Sequence, residues 1–505
     1  MGRRILVETP SDLSGDAVLA VAEGARIELS AGLLGRLAAS RAATVRALSD
    51  GGPVYGVTTG MGSLAHLAIG AAEQPAFQDD LMLARSVGTS PWLGRREVRA
   101  ALAARLRTVL EPEAGVSPGL ASVLVAVLDA DLHPAVPATR NGAAGEIIPL
   151  AHLGAFLTGR GEGLDPSGVP RPAHELLREA GLAPYSFEAK EGVGFLQGVP
   201  VAAGGAALLG AETRLLAAQA LTVAAAEVAL VRAPRDPYDP ALGRGDPELA
   251  LVHEALRSLA GGEPAPRMLQ APVSFRVVGP ALAHLLRAAA RLDQAVARAL
   301  GGVSTSPALV EGRFVGTAGF DGFDLAASAD AVRLGVLHVA EVGAARLHRM
   351  LDPRVTGLPA QLSADPGRQA GLVALHKRTV GLLHEARRTA APASLGSAET
   401  SLGQEDVQSY TLEATHALRG SLHVLRDVVA CELVAVHQAT LLDDTGARGS
   451  ESLQMVLHKA FEHLPERADD RPAGRDVAAL VRLLGVGWAH DRLDTTRDAP
   501  LTGHA

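Results

Sequence analysis

Five short stretches set polar side chains in glycine-rich or turn contexts inside an otherwise apolar chain. They are YGVTTGMGSLA (55–65), NGAAGEIIPLAHL (141–153), KEGVGFLQG (190–198), LQAPVSFR (269–276) and GQEDVQSY (403–410). A phenol among glycines, Tyr55 with Gly56, Gly60 and Gly62, is a loop side chain of the kind that moves protons at a site. Arg276 closes an apolar run and must find an anion, from a structural carboxylate or from a substrate. Gln197 and Gln270 each donate and accept, so either can orient a ligand or tie loops together. Glu405 and Asp406 fall at the predicted start of a helix over 405–443, where acids favour the N-terminal dipole without any function.

Other chemistries find no support. GRGEG at 159–163 follows a helical run and lacks a downstream Lys-Ser/Thr, unlike a phosphate loop. His253 and His384 begin HEALR and HEARR, without the second histidine of a zinc helix, and His152 and His384 read as structural. With Cys431 the one cysteine, neither a metal site nor an internal disulfide is expected. A net charge of −8 without basic runs argues against nucleic acid as a partner. The stretch 215–231 carries Gln219 and Glu227 and is largely alanine, so it reads as a bundle helix rather than a membrane span. The amino-terminal stretch has no signal-peptide apolar region, which leads us to expect a cytoplasmic protein.

The elements that must position these groups are mostly helices. Aromatics are only 3% of 505 residues, and the apolar share comes mainly from Ala, Leu and Val. Residues 1–200 alternate short helical patterns with Gly- and Pro-rich loops; 201–505 read as long helices over 201–232, 278–300, 324–352, 366–390 and 405–443. That pattern predicts a mainly α bundle, with a loop-rich amino-terminal region integrated into one fold.

In this order and spacing, the five stretches resemble the histidine and phenylalanine ammonia-lyase and aminomutase family over essentially the whole chain. The match rests on Tyr55, Gly56, Thr59, Gly60 and Gly62, on Pro149 to His152, on Lys190 to Gly192, and on Gln404 to Asp406. The resemblance implies an elongated helical bundle of the fumarase/aspartase-like type, and a homotetramer whose active sites draw on more than one subunit. It also implies roles: Tyr55 as base or proton relay and Glu405 as acid-base or amine-binding group, whereas Asp406, at the predicted helix start, reads as a cap. Arg276 would bind the substrate carboxylate, with Gln270, Gln197 and Phe314 lining the substrate site.

In that family an Ala-Ser-Gly tripeptide cyclises and loses water to give the electrophile methylidene-imidazolone. Here the tripeptide is Ala143-Ala144-Gly145, and the Ala144 methyl has no hydroxyl to eliminate. We therefore expect no such cofactor. Other family positions also depart: Val273 stands for a second tyrosine, Gln197 for an asparagine, Arg313 for the asparagine before Phe314, and Arg85 for the residue that reads the substrate ring. Arg85 would either serve a second acidic group of the substrate or pair with Asp79 or Asp80 and close the pocket. The leading expectation is a cofactor-independent lyase, isomerase or cyclase acting by acid-base chemistry on a pre-activated small molecule with at least one carboxylate, in bacterial specialised metabolism. Two alternatives stand beside it: a non-catalytic binding or regulatory paralogue, and a Ser-to-Ala active-site mutant of a divergent cofactor-dependent lyase or aminomutase.

Overall fold

The computed structural model describes residues 3–262, 265–444, 446 and 449–489. It is mainly helical, as the composition predicts. Two compact units alternate along the chain. The first gathers residues up to Leu209 with Arg291–Asp330 and Pro392–Ala417; the second gathers Gly210–Ala290, Ala331–Ala391 and the described residues from Leu418 on.

In the first unit, three two-stranded ribbons punctuate the helices. Arg4–Val7 pairs in parallel with Arg26–Leu29, Glu162–Leu164 runs antiparallel to Pro170–Pro172, and Ala308–Val310 runs antiparallel to Arg313–Val315. The core helix is Arg95–Val109, started by Glu97, which accepts the Gly94 N–H at 2.7 Å. From Val98 to Val109 every residue is buried, arginines included, so each guanidinium must find acceptors inside the protein. Arg99 donates to the carbonyls of Val21 and Leu128, and Arg105 to those of Gln197 and Gly194. Burial holds the Arg105 guanidinium down at about 9, and its bonds fix the 194–197 segment behind the site.

The second unit is helical among its described residues. Its centre is Arg346, fully buried, with Nε 2.7 Å from Glu227 and Nη2 2.7 Å from Glu432. Burial raises both carboxyls, and one arginine holds the pair in place. Gly343 is required there, because a Cβ would lie 2.6 Å from Glu432 Oε2.

Three of the long predicted helices are observed nearly as read: Pro200–Leu230, Val278–Gly301 and Phe323–Met350. The stretch Glu191–Leu230 is long and apolar enough to cross a membrane, and its most apolar window is wholly buried, as a core helix requires. The other two start later than expected, at Val373 and at Thr411. At 366–372 the backbone instead turns, with Ala370 and Gly371 donating to Asp470. Ahead of Thr411, Tyr410 has φ +51°, which breaks helical continuity. Glu405 and Asp406 therefore lie in a loop, not on a helix N-terminus, and Asp406 does not cap the helix.

Candidate functional site

The Tyr55 loop is closed on itself by its own backbone. Thr58 Oγ1 accepts the Val54 N–H at 2.7 Å, and Gly60 N–H donates to Leu67 O at 2.9 Å. The phenol oxygen of Tyr55 accepts the Gly62 N–H at 2.7 Å, so its position is set by the same loop that carries it. Gly56 has φ +69° and no room for a side chain, since a Cβ would meet Val193 Cγ2 at 2.7 Å. Gln78 ties the loop down: its amide donates to Gly56 O and accepts the Val193 N–H, each at 2.9 Å.

The Ala143-Ala144-Gly145 segment is fastened at both ends. Asn141 donates through Nδ2 to Gly145 O at 2.6 Å and accepts the Ile148 N–H at 3.2 Å, while its own N–H donates to Glu413 at 2.8 Å. Glu146 is fully buried and accepts the N–H groups of Val201 and Ala202 at 2.6 and 2.7 Å, capping the helix that starts at Pro200. Burial pushes its carboxyl up to about 8 against those donors, and raises Glu413 as well. Over the segment, Glu405 Oε2 accepts the Ala144 N–H at 2.8 Å and Oε1 accepts the Ser401 hydroxyl at 3.0 Å. The loop thus presents Ala144 to Glu405 through its backbone, not its side chain.

Tyr55, Arg85, Ala143 and Glu405 line one cavity of about 280 Å³, with Met61, Ser63, Thr400 and Ser401 among the remaining wall. Arg85 ends the Gln74–Arg85 helix and is half-buried. Desolvation lowers its guanidinium, with the charges of Tyr55 and Glu405 opposing. It pairs with neither Asp79 nor Asp80: Asp79 accepts from Ser186 and the Phe187 N–H, and Asp80 pairs with Arg160. Two of its nitrogens make marginal contacts, to Leu81 O at 3.4 Å and Met61 Sδ at 4.0 Å.

The other expected residues are placed elsewhere. Gln270 and Arg276 line a cavity of about 580 Å³ in the second unit, with Asp236 and His253. Arg276 Nε donates to Ala271 O at 3.0 Å. Gln197 ties loops: its amide both donates to Ser306 O and accepts the Ser306 N–H. Phe314 sits on the Arg313–Val315 strand opposite Leu309, off the lining of the Tyr55 cavity. His152 is structural, accepting the Gly88 N–H at 2.9 Å.

Several residues that matter went unremarked in the sequence. Glu146 directly follows the tripeptide and Glu413 lies at the start of the last long helix, both signals of position without a signal of partner. Ser401 could have been sought as a hydroxyl four residues before Glu405. The Lys-Glu-Gly stretch proves to be a packing node: Lys190 Nζ donates to Ala114 O at 3.0 Å with its ammonium depressed to about 7 by burial, while Glu191 accepts from Ser117, Tyr185 and Glu188.

A helical scaffold that carries a glycine-rich tyrosine loop facing a bolted tripeptide loop defines the class. The family model of aromatic amino acid lyases matches residues 13–462, and the chain belongs to that family. It is 32% identical over 491 residues to a histidine ammonia-lyase of Streptomyces avermitilis, covering 93% of this chain and 94% of that protein. To the histidine ammonia-lyase of Streptomyces griseus it is 31% identical over 502 residues, covering 96% and 97%. Among solved structures, tyrosine aminomutase from Streptomyces globisporus superposes with a TM-score of 0.91 at 24% identity, covering 99% of this chain and all of that one. An ergothioneine-degrading enzyme from Treponema denticola gives 0.90 at 20% identity, covering 97% and 100%. The chain is therefore a lyase-like enzyme of this family.

Proposed function

We propose that this enzyme works without methylidene-imidazolone, by acid-base chemistry in the Tyr55 cavity on a small molecule that bears a carboxylate. The residues present do not fit the cofactor. Its exocyclic methylidene carbon is a serine β-carbon, made unsaturated as the β-hydroxyl leaves as water, and the β-carbon of Ala144 is a methyl with no leaving group. The observation that carries the reading is the survival of the proton-handling pair around that inert residue: Tyr55 held by Gly62, and Glu405 held against the Ala144 N–H, on one cavity.

In the proposed step, Tyr55, acting as the base, takes a proton from a carbon beside the activating group. The electron pair left on that carbon forms the new double bond as the leaving group departs with its own bond pair. Glu405 exchanges the second proton with the leaving or attacking group. Run backwards, the same groups add a nucleophile to a conjugated alkene. A free amino acid acidifies its C–H poorly without an electrophile, so the substrate brings its own carbonyl, imine or conjugated alkene. The carboxylate is assigned to Arg276, whose Nη groups remain available beyond the Nε bond to Ala271 O; the histidine ammonia-lyase relatives support an amino-acid-like acid. Because Arg276 lines a different cavity from Tyr55, the proposal includes a homotetramer in which subunits share sites.

The test is an assay of the protein and of Ala144→Ser on His, Phe and Tyr, following the ultraviolet absorbance of urocanate- and cinnamate-type products. Neither protein is expected to turn these over well. Strong activity restored by the serine would overturn it in favour of a cofactor-dependent lyase disabled at one residue.

A further inference from the structure

Arg85 is a cation with no carboxylate in direct contact, and Glu405 reaches it only through space. It is half-buried on the wall of the Tyr55 cavity, and among the described residues no carboxylate lies within ion-pair distance of it. The two acids on its own helix are committed elsewhere, Asp79 to Ser186 and Phe187 and Asp80 to Arg160. Glu405, the acid that shares the cavity, acts on Arg85 only through space while its oxygens accept from Ala144 N–H and Ser401 Oγ. A guanidinium offers five N–H donors in a planar fork, and here only two marginal contacts use them. Removing such a group from water without a partner is costly, and a bidentate oxyanion is the partner its geometry fits best.

A bland role is available, since a basic residue in the last turn of a helix complements the C-terminal dipole. A side chain serving only that end has no need to line the cavity. The rest of the wall suits an anion too: Ser63, Thr400 and Ser401 are hydroxyl-bearing neighbours on the same lining, and Tyr55 is the only aromatic ring there. A ring-stacking role for Arg85 is correspondingly weak.

We infer that Arg85 binds a second acidic group, a carboxylate or similar oxyanion at the end of the substrate remote from the one assigned to Arg276, so that the natural substrate is a dianion. This rests on the reading that the Tyr55 cavity is the reaction site.

The experiment uses the intact protein and isothermal titration calorimetry. The probes are the four- to seven-carbon α,ω-dicarboxylates, each against the monocarboxylate of equal length, at pH 7.5. For at least one length the dicarboxylate is expected to bind 10-fold or more tightly than its monocarboxylate. Arg85→Met, with its helical circular dichroism unchanged, is expected to lose that preference, and Arg85→Lys to keep part of it. Equal binding of both acids, no binding of either up to 10 mM, or a preference that persists in Arg85→Met overturns the inference. Tyr55→Phe separates the two claims. If it keeps both the dicarboxylate preference and full turnover of the substrate, the proton-transfer reading fails while the anion site stands.

Discussion

Two cavities carry the residues that the family resemblance pointed to, and they are built in different ways. In the first unit, Tyr55 is held by the Gly62 N–H, Glu405 by the Ala144 N–H and the Ser401 hydroxyl, and the tripeptide loop by the Asn141 and Glu146 side chains, with Arg85 alone loosely held. In the second unit, Arg276 has one bond, to Ala271 O, and shares its larger cavity with an exposed Gln270. Under the proposed function, the first arrangement would fix atoms for proton transfer and the second would leave a cation free to meet a charge. The difference teaches that the loop around Ala144 is fastened by the carboxylates and amides of its neighbours and needs nothing from the Ala144 side chain.

The sharpest way to break this contrast is Tyr55→Phe. A general base contributes about 10²- to 10⁴-fold, so kcat should fall by that much while substrate affinity holds, measured by single-turnover kinetics alongside calorimetry. Arg276→Ala should act the other way round, raising KM by about 10- to 100-fold, as loss of a charge-assisted bond does, with a smaller change in kcat. Equal effects of the two variants on KM would erase the division between a proton-transfer cavity and a carboxylate-binding one.

Smaller effects probe the frame. Gln78→Leu strips two bonds, from Gly56 O and to Val193 N, and should cost about 1–3 kcal/mol in urea unfolding while lowering kcat through a looser Tyr55. The smallest is a pH slope. The Glu146 carboxyl is raised to about 8 in the folded chain, so folded protein holds a proton that the unfolded chain releases near 4.5. Its contribution to stability is full below the lower value and is lost as pH rises through the upper one. Glu146→Gln, uncharged throughout, should flatten the fall in Tm between pH 6 and pH 9, measured by differential scanning calorimetry.

Much of the site was legible in the residues. Tyr55 and Glu405 line a cavity with Ala143, residues that only the family resemblance had put together, and the long helices at 200–230, 278–301 and 323–350 follow from apolar periodicity. The start of the last long helix was misread, because acids at Glu405 and Asp406 look like an N-terminus whether or not the backbone turns there. Tyr410 at φ +51° decides that, and no local sequence rule announces a tyrosine with a left-handed backbone. Gln197 was open between substrate and loop, and only the position of Ser306, 109 residues on, closed the question. Arg85 was open between Asp79, Asp80 and a ligand, and the partners that Ser186 and Arg160 supply to those acids left it unpaired.

The sequence by itself determined the helical class, the family, and the absence of a leaving group at Ala144, since these depend on residue type and order along the chain. Tertiary structure alone decided which charges remain unspent. A buried or half-buried ionisable group is defined by its partners, and partners such as Glu146 with Val201, or Asp80 with Arg160, are separated by tens of residues that the fold must first bring together.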